Sequence, residues 1–167
     1  CWIQHPTRGR VQFNLYPFQD GTLNLLQKND RNIILKSRQL GISTLSAGIS
    51  LWMMVFQKDK AILVVATKQD TAKNLVTKVK FMYDNLPSWL QIGFTENNKL
   101  ALRLKNGSQV KAVSAASDAG RSEAISLLII DEAAFIEENR IEEIWGSSQQ
   151  TLSTGGRAIV LSTPNGT

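Results

Sequence analysis

At 167 residues, with 43% hydrophobic and 20% charged side chains, the chain matches one globular domain with a real core and is too small for two. Its formal charge of +5, from 19 Lys and Arg against 14 Asp and Glu, favours a polyanionic partner such as nucleic acid or nucleotide. The single cysteine, Cys1, excludes an intramolecular disulfide and fits a reducing, cytoplasmic compartment, and the apolar runs are too short to span a bilayer.

Residues 1–30, with His5-Pro6 and Pro17, read as an irregular or short-helical approach to a sheet. Beyond them, short apolar runs alternate with helical patterns, which predicts an α/β domain whose mainly parallel sheet carries helices on both faces. Ile33-Ile34-Leu35 is a candidate buried strand, and from Ser43 the residues Leu45, Ile49, Trp52, Met53 and Phe56 recur at helical spacing.

Between them lies Lys36-Ser37-Arg38-Gln39-Leu40-Gly41-Ile42-Ser43-Thr44, where a phosphate-binding loop belongs. Amides at a strand-to-helix junction lack intrahelical partners and share the positive end of the helix dipole, so phosphate oxygens bind there. The usual spelling is G-x-x-x-x-G-K-[ST]; here Lys36 replaces the first Gly and Ile42 the Lys, while Gly41 and Ser43 stay in register. An isoleucine cannot neutralise phosphate, so ATP binding needs Lys36 or Arg38, and the flexible stem of Lys36 suits approach from the loop's other flank. Taken alone, the loop reads equally as an ordinary polar connection.

Ala61 to Ala66 is a continuous apolar run of strand length, and Thr67 with Asp70 resembles a capping box before a helix over 71–86, closed by Pro87. Leu100 to Leu104, the turn Asn106-Gly107 and Val110 to Val113 predict an antiparallel hairpin insertion. The loop 117–122 holds Arg121, a candidate arginine finger for a neighbouring subunit or simply a surface arginine.

Leu127 to Ile130 predicts a buried strand ending in Asp131 and Glu132. Acids at the carboxyl end of a parallel strand stand where α/β sheets bind ligands, the Walker B arrangement. Asp131, with Ser43, would hold Mg²⁺, and Glu132 would orient or deprotonate the attacking water. A polar helix over 137–150 and a last strand over 157–161 follow. Ser162-Thr163-Pro164-Asn165-Gly166 then places hydroxyls and an amide beside the same edge, where Thr163 and Asn165 are candidate γ-phosphate sensors or only a turn. The chain lacks an initiator Met and stops just past this turn, so it is expected to be a fragment of a longer protein.

Together, Lys36-Ser-Arg-Gln-Leu-Gly-Ile-Ser, Leu-Ile-Ile-Asp-Glu-Ala-Ala-Phe at 128–135 and Ser-Thr-Pro-Asn-Gly at 162–166 resemble the large terminase subunit of tailed bacteriophages. The resemblance implies a P-loop ATPase domain (ASCE, RecA-like) over 1–167, with 1–30 as an adenine-side segment and 31–167 as the core. It implies ATP and Mg²⁺ as ligands, Gln19 of Tyr16-Pro17-Phe18-Gln19 reading the base edge, and residues 162–166 as a coupling motif. It also implies either Arg121 in trans or Arg38 in cis as the finger. Family members power the movement of double-stranded DNA into a procapsid as a homo-oligomeric ring on the portal protein, in the host cytoplasm, with a small terminase subunit choosing the DNA. The family's nuclease domain has no counterpart in these residues, so ATP hydrolysis without endonuclease activity is expected. Lys68, Lys73, Lys78 and Lys80 read as a solvated helix face rather than as DNA contacts. The competing readings are a two-lobed helicase and a catalytically inactive nucleotide-binding module.

Overall fold

The computed structural model describes residues 1–117 and 124–165, apart from the side chains of residues 150 and 151. The first thirty residues are more ordered than their composition suggests. They form an antiparallel hairpin, β1 (Trp2–His5) and β2 (Gly9–Gln12), and a twelve-residue helix, α1 (Pro17–Lys28), so the helical alternative holds over 17–28 and the hairpin replaces the irregular one. The hairpin's turn is closed by Gly9 at φ +67° and by the amides of Thr7 and Arg8, which donate to His5 Nδ1 at 3.3 and 3.2 Å. Pro17 starts α1, where its fixed φ suits the first helical position.

The remaining strands are β3 (Arg31–Leu35), β4 (Ala61–Ala66), β5 (Phe94–Asn97), β6 (Ala101–Leu104), β7 (Gln109–Ser114), β8 (Leu127–Asp131) and β9 (Arg157–Ser162). They make one sheet in the order β3-β9-β8-β4-β7-β6-β5. The pairings from β3 across to β7 are parallel, and the β7–β6 and β6–β5 pairings are antiparallel, so β6 alone runs against the rest of the described sheet. The predicted hairpin is therefore built into the sheet, since its second strand, β7, pairs in parallel with β4. Asn106 at its turn donates to the carbonyls of Met54 and Gln57, tying the hairpin to a helix end.

Two helices, α2 (Ile42–Phe56) and α3 (Gln69–Asp84), cover one face, and α4 (Glu138–Leu152) covers the other. Strand alternation sorts the core accordingly. Ile62, Val64, Ile129, Ile159 and Leu161 pack toward α2 and α3, while Leu63, Val65, Leu128 and Ile130 pack toward Ile141, Ile144 and Trp145 of α4. β8 is buried along its whole length because it lies mid-sheet between these layers, which explains its unbroken apolar spelling.

Two expectations are corrected here. β3 exists but is not buried: it is one of the two edge strands among the described residues, and Ile33 and Leu35 are 86% and 72% exposed on the face beyond the cover of α4. Thr67 does not cap α3, because the helix begins one residue later than a Thr67 cap requires, with Lys68 at its N-cap and no side-chain cap bond. The Thr67 Oγ1 atom is buried without a hydrogen-bond partner.

Candidate functional site

The phosphate-loop segment and the acidic pair share one cleft edge. Strand register requires this: Leu35 is opposite Ser162, and Ala66 is opposite Asp131, so β3, β9, β8 and β4 all end on the same side. In open α/β sheets ligands bind outside this carboxyl edge.

The loop leaves β3 and enters α2 through Gly41, which sits at φ +71°, the left-handed region. A Cβ there would lie 2.7 Å from Gln19 Nε2, so a side chain would strain the backbone and push the Gln19 amide from its place. Ile42, Ser43 and Thr44 form the first turn of α2, where amides have no intrahelical partner. The Ile42 side chain turns into the core, 2% exposed, and cannot face a ligand. Ser37, Arg38, Gln39 and Leu40 are exposed, and Gln39 also has positive φ, +61°. Lys36 is half-buried and its amide donates to Ser162 O at 2.9 Å.

Asp131 is 8% exposed, and its carboxylate is held from two sides. Ser43 Oγ donates to Oδ2 at 2.9 Å, and the Glu132 amide donates to Oδ1 at 3.0 Å. The serine of the loop and the first acid of the strand therefore meet directly. Glu132, half-buried, takes φ +58°, ψ +39°. A non-glycine residue in that region is held there by its surroundings, a form of strain concentrated at functional sites.

The segment after β9 is fastened to the turn that follows the acids. Ala134 N donates to Ser162 Oγ at 3.0 Å, and Asn165 Nδ2 donates to Ala134 O at 2.9 Å. Asn165 thus spends its amide on the turn, and Thr163 follows the same strand end half-buried. The Gln19 side chain lies between α1 and the loop. It is 2% exposed, its Nε2 donates to Leu40 O at 2.8 Å and its Oε1 accepts from Tyr16 N at 3.1 Å, so it braces the loop from behind. The exposed groups of that segment are Tyr16 and Phe18, whose rings stack 5.8 Å apart and 5° from parallel. Arg38 makes no ion pair among the described residues, and Arg121 and Gly166 lie outside them.

Two residues escape the sequence reading. Lys78 of α3 lies within electrostatic reach of Asp131 and Lys36; burial holds its pKa below the usual lysine value, Asp131 opposing and Lys36 adding to that shift. Thr67, one residue past β4, has the partnerless hydroxyl described above. Helical phase is the signal that could have separated Lys78 from its neighbours. Lys73 pairs with Asp70 at 3.8 Å and Lys80 with Asp84 at 2.8 Å, whereas Lys78 is three residues from Leu75 and four from Met82, both buried.

The residues fit a magnesium-nucleotide site. No group of three or more His, Cys, Asp or Glu that could cage a metal exists among the described residues. A Ser43–Asp131 pair suits magnesium, which takes one or two protein oxygens and completes its shell with water and phosphate. A large cavity, about 860 Å³, opens instead among Leu26, Trp52, Leu127, Gly156 and Arg157, at the amino ends of β8 and β9. Its lining includes neither Asp131 nor Glu132 and none of the residues 36–44 of the loop.

Residues 33–167 match the family model described as Terminase large subunit, T4likevirus-type, N-terminal. The chain belongs to this terminase family. Its fold is that of large-terminase ATPase domains. The large terminase of bacteriophage HK97 superposes with TM-score 0.75 at 20% identity, covering 96% of this chain and 35% of that one. The large terminase ATPase domain of Thermus phage P74-26 gives 0.69 at 22% identity, covering 93% and 67%. The large terminase of a thermophilic bacteriophage, in complex with ATP-gamma-S, gives 0.58 at 12%, covering 83% and 33%. The chain thus spans about a third of the HK97 protein and of this nucleotide-bound one. No helix among the described residues is long and apolar enough to cross a membrane.

Proposed function

We propose that this terminase domain binds ATP with Mg²⁺ at the carboxyl edge of its sheet and hydrolyses it to drive double-stranded DNA into a procapsid. The observation that carries the reading is the 2.9 Å bond between Ser43 and Asp131, the two side chains a magnesium-nucleotide site needs side by side. Ser43 and Asp131 would hold the metal, which when bound neutralises charge on the phosphate oxygens. The amides from Gly41 to Thr44 cradle the phosphates, with Ser37, Gln39 and Leu40 shaping the loop and Lys36 and Arg38 supplying positive charge. Glu132 orients the attacking water in line with the γ-phosphoryl group and takes up its proton. The base lies on the α1 side, against Tyr16 and Phe18, with Gln19 fixing the loop behind it. Thr163 and Asn165 report the state of that edge to the last strand.

An arginine finger, Arg121 from a neighbouring subunit or Arg38 within the chain, raises turnover by roughly 10³ to 10⁵. Ring assembly on a portal protein, DNA selection by a small terminase subunit and transient docking to the procapsid in the host cytoplasm belong to the whole protein in this reading. ATP turnover with Mg²⁺ tests it: Lys36→Ala abolishes hydrolysis by weakening phosphate binding, and Glu132→Gln abolishes it with ATP still bound. Parent-like turnover by Lys36→Ala would remove Lys36 from its role. Absence of nucleotide binding by the parent chain would remove the reading itself.

A further inference from the structure

Position 42 is where phosphate loops ordinarily carry their lysine, and here its side chain is in the core. Lys36 and Arg38 both enter from the opposite end of the loop, which leaves the α2 flank of a bound phosphate without a cation. We infer that Lys78 of α3 fills that flank, reaching over the carboxyl edge to bind the terminal phosphate of the nucleotide; this deepens, and rests on, the nucleotide-binding reading above.

Helix placement comes first. α3 starts three residues beyond Ala66, which is in register with Asp131, so its amino end stands at the catalytic edge. Side chains on a helix lean toward its amino terminus, so Lys78 leans toward that edge. Its spacing from Leu75 and Met82 puts its stem beside the stripe by which α3 packs, unlike Lys73 and Lys80, which are paired with acids on their own helix.

Chemistry comes second. Among the described residues Lys78 makes no hydrogen bond and no ion pair, so three ammonium donors remain for a ligand. Thr67 follows Ala66, the β4 residue opposite Asp131, and its buried hydroxyl oxygen has no partner. A buried polar atom left this way next to the end of β4 calls for a water, ion or ligand. The net disfavour of the Lys78 charge in the fold agrees, since the fold itself gains little by holding an ammonium there. A lysine serving only to balance Asp131 would make the other choice and form the ion pair.

Titration calorimetry on the 167-residue chain with Mg²⁺ tests this, using ATPγS and ADP as separate probes. Lys78→Met is expected to weaken ATPγS about tenfold or more and ADP less than about threefold, because a charge lost from the terminal phosphate is felt only when that phosphate is present. Lys73→Met leaves both affinities as in the parent. If Lys78→Met fails to melt cooperatively, Lys78→Gln takes its place with the same expectation. Parent-like ATPγS affinity in the variant, or an equal loss for both nucleotides, overturns the Lys78 assignment alone. A parent chain that binds neither nucleotide overturns this inference together with the reading beneath it.

Discussion

Ser43 and Asp131 stand 88 residues apart in the chain and share a 2.9 Å hydrogen bond. The pair joins the first turn of α2 to the end of β8, so a strand-and-helix unit from each half of the domain converges on one point. Ser43→Ala and Asp131→Asn should each weaken Mg²⁺-dependent ATPγS binding. Because the two side chains act on one ion, the double variant should lose less than the sum, with a coupling of about 0.5–3 kcal/mol in a calorimetric double-mutant cycle. Additive losses would separate their roles.

Gly41→Ala should destabilise the domain and loosen nucleotide binding. Two terms contribute: a left-handed φ that costs a Cβ-bearing residue roughly 1 kcal/mol, and a Cβ set 2.7 Å from the Gln19 amide. In a Gln19→Ala background the second term vanishes, so the same substitution should cost only about the first. Denaturant melts of the four proteins read the difference.

Glu132→Gly should separate stability from turnover. Glycine relieves the strain of φ +58°, a gain on the order of 1 kcal/mol, visible as a higher melting temperature. Hydrolysis should fall by roughly 10² to 10⁴, the usual contribution of a positioned base. A variant that melts lower than the parent would show that the carboxylate, not the backbone, governs this turn.

Stability should depend on Lys78 in alkaline solution. Its pKa in the fold is lowered, chiefly by burial, so the unfolded chain binds the proton more readily than the folded one. Stability from this group therefore rises as pH climbs from the lowered value toward the ordinary lysine pKa, and levels off above it. Lys78→Met removes the burdened charge and should melt above the parent at neutral pH, with the gap narrowing as pH rises. A gap constant with pH would mean that packing, not charge, sets the difference.

The parts of the fold legible in the sequence are those dictated by local rules. β8 is readable because burial on both faces demands an unbroken apolar run, and the hairpin around Asn106-Gly107 because its turn fixes the register. The loop and the acidic pair are readable by spelling and spacing. What escapes depends on partners distant in sequence. Gln19 finds Leu40 21 residues on, and Lys78 is distinguished from three other lysines of its region only by which side of α3 meets the core. The amino-terminal hairpin is hidden because its strands are only four residues each, too short for a clear alternation, although Ile3 packs against the core. β3 is over-read for the converse reason: Ile33 and Leu35 are apolar without being covered.

That uncovered strand bears on how the domain behaves in a tube. β3 delivers Lys36 to the cleft yet, among the described residues, is laced to a neighbour along only one of its two margins, the β9 side. Among the described residues no strand pairs with its other margin, which lies beside the exposed side chains of Ile33 and Leu35, the profile of a strand that zips onto its own kind. Concentrated solutions should therefore self-associate through the segment that feeds the nucleotide cleft, and dilute samples should retain more competent sites per molecule.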